Sequence, residues 1–274
     1  MIGQALRHGL GADLLHLSEI DTDALGSFCG AVPRRGSALQ ACIAKAELAL
    51  AAGGTGLAIA SEGSFGPHPA VPLLAVGIEC LVFLDQERGL TIHEELVASR
   101  TNFAQRRLTA EESTGRDPLA GIGSWLGQVG FPRHRLLVRP ADPEGTDPTP
   151  VIKGLADPLA LRQAIQQMSE ASGGGAVQLE TDMRAHCNPT RMASIRRLAF
   201  QLVRRIATAC PDCGTPGWGM IGSEAGLPCG WCGEPTDLIR AEVLGCIRCA
   251  LRRERPRPDG LRLADPQHCG HCNP

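Results

Sequence analysis

Four Cys-x-x-Cys pairs fall in the last quarter of the chain, at Cys210/Cys213, Cys229/Cys232, Cys246/Cys249 and Cys269/Cys272. Eight cysteines in this arrangement are the ligand set for two tetrahedral zinc ions. The knuckles read CPDCG, CGWCG, CIRCA and CGHCN, so in most of them a small or turn-forming residue follows a cysteine and lets backbone amides face the thiolates. Successive pairs are separated by 15, 13 and 19 residues. The first and last gaps suit a zinc site and the middle one is short, which favours first-with-second and third-with-fourth pairing; interleaved and nested pairings stay open.

A disulfide framework is the rival for these cysteines. The opening stretch MIGQALRHGLGADLL lacks a charged segment followed by a long apolar run and a cleavage site, so nothing marks the chain for export and a cytoplasmic location is expected. One thioredoxin-like motif would suffice for redox work, and this chain has four such pairs. Iron–sulfur ligation is the remaining alternative. Sites with four cysteine ligands are closed, so the expected role of the zinc is structural.

At 274 residues the chain has room for one sizeable domain and a small module. Apolar residues make up 43%, yet no run reaches 18, which excludes a membrane-spanning helix. Net charge is -2 but uneven: residues 184–262 hold thirteen arginines against seven carboxylates. Zinc-bound thiolates would cancel much of that excess, and with 3% aromatics and no tyrosine few rings are left to stack on bases.

Periodicity and breakers give a mixed pattern. Strands are expected at 13–20, at GLAIA (56–60), in the apolar stretch 71–84 as a hairpin of 73–85 with 90–98, and at 135–138, 176–180 and 238–244. Helices are expected at 38–52, 118–129, 157–172 and from Asn188 to about 206. The last has Asn188 as cap, Pro189 in its first turn, an apolar stripe of Met192, Ile195, Leu198, Leu202 and Ile206, and Arg196, Arg197, Arg204 and Arg205 on its other face. The expected fold is a mixed-sheet α/β domain over residues 1–208, followed by a double zinc ribbon over 209–274 with all-cysteine ligands.

Three polar segments follow expected strands: DTDALGSF, SEGSFGPHP and TDMRAHCNPTR. In an open α/β sheet, loops beyond the strand C-termini form the ligand crevice. Asp21 and Asp23 are carboxylates suited to Mg2+, and Glu62 is a further ligand or general base. Ser64 and Gly66 would let amides approach an anion, while Arg184, His186 and Arg191 flank a helix N-terminus suited to phosphate. Each has a plainer reading: Asp21 and Asp23 as turn or cap residues, SEGSFGPHP as a structural loop, and Asp182 paired with Arg184.

Taken together, IDTDALGSF, KAELALAAGGTGLAIASEGSFGPHP, ETDMRAHCNPTR, CPDCGTPGWG, GLPCGWCG and ADPQHCGHCNP resemble an uncharacterised bacterial family of unknown function over nearly the whole chain. The N-terminal part is remotely similar to the inosine triphosphate pyrophosphatase group, which removes pyrophosphate from noncanonical nucleoside triphosphates with Mg2+. That likeness implies roles for Lys45 as a phosphate ligand, Glu62 in holding Mg2+ or activating water, and His186 with Arg184 and Arg191 against phosphate or base. The group's opening strand and Gly-Lys loop have no counterpart here, and Gln40 stands where a carboxylate is expected. Two structural zinc ions and Mg2+ are thus the expected metals, and a nucleotide or other phosphate-bearing small molecule is the expected ligand. The alternative is a zinc-ribbon module that binds nucleic acid or protein without catalysis.

Overall fold

The computed structural model of the chain describes residues 1–17, 20, 36–67, 75–98, 100–142 and 150–273. The chain divides into two compact units, Met1–Gly89 with His93–Gln201, and Leu90–Ile92 with Leu202–Pro274. In the first unit, helix α1 (Ile2–Leu10), which the sequence did not signal, stops at Gly11 in a left-handed conformation. Helix α2 (Ala38–Gly53) opens with a reciprocal cap. Ser37 Oγ accepts the Gln40 N–H at 3.2 Å and Gln40 Oε1 accepts the Ser37 N–H at 2.8 Å. Gln40 is therefore employed in starting the helix.

Strands β1 (Leu57–Pro67), β2 (Ala75–Asp85) and β3 (Leu90–Ala98) form a sheet in that order. β1 and β2 pair antiparallel from Leu57 opposite Asp85 to Pro67 opposite Ala75. Helix α2 covers one face of this hairpin, packing Cys42, Ile43 and Ala46 on Ala58, Ala60, Cys80 and Val82. The alanines of β1 leave room for the helix to lie close. Two expectations fail here. The segment SEGSFGP is part of β1 and not a loop, because eleven successive residues find partners on β2. Residues 11–17 form no strand, and nothing beyond them up to residue 35 is described except Ile20.

A second sheet has the order β4-β7-β5-β6, built from β4 (Gln105–Leu108), β5 (Leu136–Pro140), β6 (Ile152–Leu155) and β7 (Val177–Thr181). Helix α3 (Ala110–Thr114), helix α4 (Gly123–Gln128) and helix α5 (Pro158–Ala171) accompany it. The helix expected at 118–129 is thus only α4. Asp157 caps α5 by accepting the amides of Leu159 and Ala160, and Leu161, Ile165 and Met168 bury against Leu136, Val138 and Leu179. Helix α6 (Pro189–Ala207) buries Ile195, Leu198, Leu202 and Ile206, the expected stripe.

Every strand pair with a described register is antiparallel. The chain is a mixture of helices and antiparallel sheets, and this corrects the expected mixed sheet with a crevice at its strand C-termini. Neighbouring antiparallel strands end at opposite edges, so no single edge collects their loops. The second unit has strands β8 (Gly219–Ala225), β9 (Ile239–Gly245) and β10 (Arg252–Pro256) in the order β10-β9-β8. Among the described residues no helix is long and apolar enough to cross a membrane.

A buried ion pair ties the β1/β2 hairpin to α6. Arg191 Nε donates to Glu79 Oε1 at 2.8 Å, Arg191 Nη1 to the Met183 carbonyl at 2.6 Å, and both charged side chains are below 5% exposed. The guanidinium also lies 5.3 Å from the centre of the Phe65 ring, which stacks at 6.5 Å on Phe103. Gly63 makes this possible: a Cβ there would sit 2.7 Å from Arg191 Nη2 and 2.9 Å from Glu79 Oε2. Gly63→Ala should therefore cost roughly 1–3 kcal/mol by overpacking, read from the shift of a urea midpoint; an unchanged midpoint would show that the pair is not held this tightly.

Candidate metal centres and charged sites

The chain reverses between successive strands of the C-terminal sheet; one knuckle precedes the sheet, one lies at each of its two reversals and one follows it. Gly219 at the start of β8 faces Gly245 at the end of β9, and Gly245 also faces Arg252 at the start of β10. The knuckle before β8 and the one between β9 and β10 consequently reach the same end of the sheet. The knuckle between β8 and β9 and the one after β10 share the other. Cys210, Cys213, Cys246 and Cys249 form one cluster and Cys229, Cys232, Cys269 and Cys272 the other, the sulfurs of each lying within 4.8 Å of one another. The pairing favoured by gap length is thus replaced by the interleaved one.

Both clusters have the dimensions of a thiolate cage. Four sulfurs about 2.3 Å from a central zinc stand about 3.8 Å apart along each tetrahedral edge. Here Cys210 and Cys249 are separated by 3.7 Å, Cys213 and Cys246 by 3.6 Å, Cys229 and Cys272 by 3.9 Å, and Cys232 and Cys269 by 3.6 Å. Backbone amides point at the sulfurs: Trp231 N–H donates to Cys229 Sγ, and Arg248 N–H and Cys249 N–H to Cys246 Sγ. In the first two knuckles Gly214 and Gly233 take φ of 70° and 79°, which closes the turn. The Thr215 hydroxyl, 3.2 Å from Cys213 Sγ, pushes that thiol down to about 6. Amides of Cys232 and Trp231 bring Cys229 to about 7. In the same clusters Cys272 is pushed up to about 12 by its hydrogen bond to Cys232 and by burial, and against the pull of the Leu251 amide burial and neighbouring thiols push Cys249 up to about 12. Each cluster thus combines a sulfur that deprotonates readily with one that gives up its proton only to a metal.

Arg205 departs from the exposed arginine face expected for α6. It is buried, its Nε donates to Gly217 O at 3.1 Å, and its stem packs on Gly219. It anchors the helix end to the loop beside the first cysteine cluster. Arg196, Arg197 and Arg204 are exposed.

The other site residues read from the sequence occupy separate places. Lys45 on α2 and Glu62 on β1 meet at 2.5 Å, with only 12% and 4% of their side chains exposed. Ser64 is two residues along β1 and partly buried. Glu62 faces Cys80 and Gly63 faces Glu79 across the hairpin. Side chains alternate along a strand, so the Lys45–Glu62 pair lies on the α2 face and the Glu79–Arg191 pair on the opposite one. Glu62 and Arg191 therefore do not share a crevice. His186 is exposed on a short 3-10 helix, Ala185–Cys187. Asp21, Asp23 and His68 lie outside the described residues.

Glu79, the buried partner of Arg191, is absent from the site residues read from the sequence. Its signal was a lone carboxylate within an apolar strand, which requires a buried cation. Burial pushes its carboxyl up against the opposing pull of Arg191. Asp182 shows the reverse balance: burial would lift it, but the side chain and backbone N–H of Arg184 outweigh that and hold it below the usual carboxylate range. Arg184 Nη2 is 2.6 Å from Asp182 Oδ2, and the Gly154 amide donates to the same oxygen at 3.0 Å.

A depressed native pKa stabilises the fold above the ordinary carboxylate value, and the contribution disappears as pH falls through the native value. Glu79 acts in the opposite sense, in a window above the ordinary value. Asp182→Asn should be less stable than the parent at pH 7 by about 2 kcal/mol, with the difference shrinking toward pH 2. Urea unfolding at both pH values measures this, and a gap that stays constant with pH would contradict it.

The family model of DUF6671, a domain of unknown function, matches residues 45–274. No curated protein and no solved structure matches the chain. The match takes in Lys45, Glu62, Glu79, Arg191 and all eight knuckle cysteines, and leaves residues 1–44, Asp21 and Asp23 among them, outside it. This chain is a member of the DUF6671 family.

Proposed function

We propose that the chain is a zinc-ordered binding protein, with two structural Zn2+ ions in crossed cysteine cages and no chemistry at either metal. The observation that supports this reading is the pair of four-sulfur clusters, the sulfurs of each within 4.8 Å of one another and two contacts in each at 3.6 to 3.9 Å. Four thiolates fill the coordination sphere of zinc and leave no position for water or substrate. The metal instead supplies folding energy to a unit that has little core of its own: all seven residues of β8 and all five of β10 are partly or fully exposed.

Charge argues against a nucleic-acid role for the zinc unit itself. Residues 202–274 hold nine arginines against eight carboxylates. Two zinc ions with eight thiolates would turn that small excess negative. Arg240 with Glu254 and Arg255 with Glu242 are, moreover, already paired across strands.

The pyrophosphatase reading has one observation in its favour, the approach of Lys45 to Glu62. The same contact weakens it. Glu62 is the described member of the carboxylate set assigned to Mg2+, and a cation there would have to displace Lys45 from a buried ion pair. Binding without turnover accounts for the arrangement with fewer rearrangements.

Purified protein should contain two zinc ions per chain by elemental analysis. Chelation should make residues 202–274 sensitive to protease while leaving the N-terminal unit resistant. A disulfide-bonded protein without metal, or visible absorption from iron, would contradict the assignment.

A further inference from the structure

The N-terminal unit contains a cleft of about 600 Å³ between the end of β3 and the start of α6. Arg100, Arg133 and Arg197 line it, together with the hydroxyl residues Thr190 and Ser194, and no carboxylate does. All three arginines are exposed, and among the described residues none is engaged in an ion pair. Carboxylate partners occupy many other arginines of the chain, including Arg139, Arg162 and Arg184. Guanidinium groups collected around one concavity repel each other, and concave walls concentrate their field.

The frame of the cleft is fixed before any ligand arrives. The His134 amide donates to Gly130 O at 2.9 Å and the Arg135 amide to Cys187 O at 3.0 Å, which ties the turn carrying Arg133 to the approach of α6. The Thr190 amide and hydroxyl both reach His134 Nε2, at 3.3 and 2.9 Å. An amide can only donate, so Nε2 is the accepting nitrogen, while buried Nδ1 has no hydrogen-bond partner among the described residues. Gly130 permits this packing: its φ is 74°, and a Cβ would stand 2.6 Å from His134 Nδ1.

The first amides of α6 are not what attracts an anion. Pro189 has none, that of Thr190 is given to His134, and that of Arg191 to Asn188 Oδ1 at 3.0 Å. Attraction comes from the arginines, whose planar forks match phosphate oxygens. We propose that this cleft binds a small molecule carrying two or more phosphates. Its volume suits a small ligand, and the apolar side formed by Leu96, Val97 and Ala98 suits an uncharged portion of it.

The proposal deepens the binding reading above and rests on it. It is tested on the full zinc-loaded chain by titration calorimetry with tripolyphosphate, with ATP and with a single-stranded oligonucleotide, without Mg2+ and with it. Tripolyphosphate or ATP should bind, and Arg133→Ala and Arg197→Ala should each weaken binding roughly tenfold or more. Arg196→Ala, exposed on the same helix but outside the cleft, should leave it unchanged. Equal affinity for the two small probes supports recognition of the phosphates alone; tighter ATP binding supports contact with the apolar side as well.

Failure of both small probes to bind, or binding indifferent to Arg133 and Arg197, would overturn the proposal. So would an oligonucleotide that binds more tightly than either probe and gains affinity with length. Release of phosphate or pyrophosphate with Mg2+ would overturn the binding-only reading while leaving the cleft testable by the same variants. Circular dichroism and zinc content confirm that each variant is folded.

Discussion

An antiparallel strand reverses the chain, and in the C-terminal unit this reversal decides which cysteines can share a metal. With one strand between successive knuckles, each knuckle lies at the opposite end of the sheet from its neighbours in sequence and at the same end as the next but one. Each cluster then joins one strand reversal to a chain segment that enters or leaves the sheet. The sheet needs this help, since β8 and β10 have almost no buried side chains with which to hold register. In the proposed function, metal held at both ends would replace the missing apolar core.

The ligands were legible in the sequence and their partnership was not. Gap length reports only the reach of a connecting segment, whereas pairing depends on how many times the chain turns between knuckles. Counting strands would have given the answer, but β8 and β10 lack the alternation that signals a strand. β8 reads GMIGSEA and β10 reads RRERP, one rich in glycine and the other charged and ending in proline. Only β9, with its buried Ala241, was visible in advance.

In the N-terminal unit, elements with strong termini were read well. Helices α5 and α6 have an Asp or Asn cap followed by proline, and both form where expected. β1 was misread over Ser61 to Pro67 because serines and glycines there suggest a loop. Its extended form is imposed by pairing with β2, which no local propensity reports. The same register sends Glu62 and Glu79 to opposite faces, so residues that look like members of one site become two separate ion pairs. Charge placement separates the units as well. Metal-bound thiolates would make the net charge of the C-terminal unit negative, while in the N-terminal one Arg100, Arg133 and Arg197, without ion-pair partners among the described residues, line one cleft.

The crossed cages are tested most directly by zinc content, measured by native mass spectrometry, in two double variants. Cys213→Ser with Cys246→Ser removes two ligands from the same cluster, and Cys213→Ser with Cys232→Ser removes one from each. Crossed pairing requires the first variant to keep one tightly bound zinc and the second to lose tight binding at both sites. If the first variant lost both ions and the second kept one, the knuckles would be paired as sequence neighbours and the crossed arrangement would be wrong.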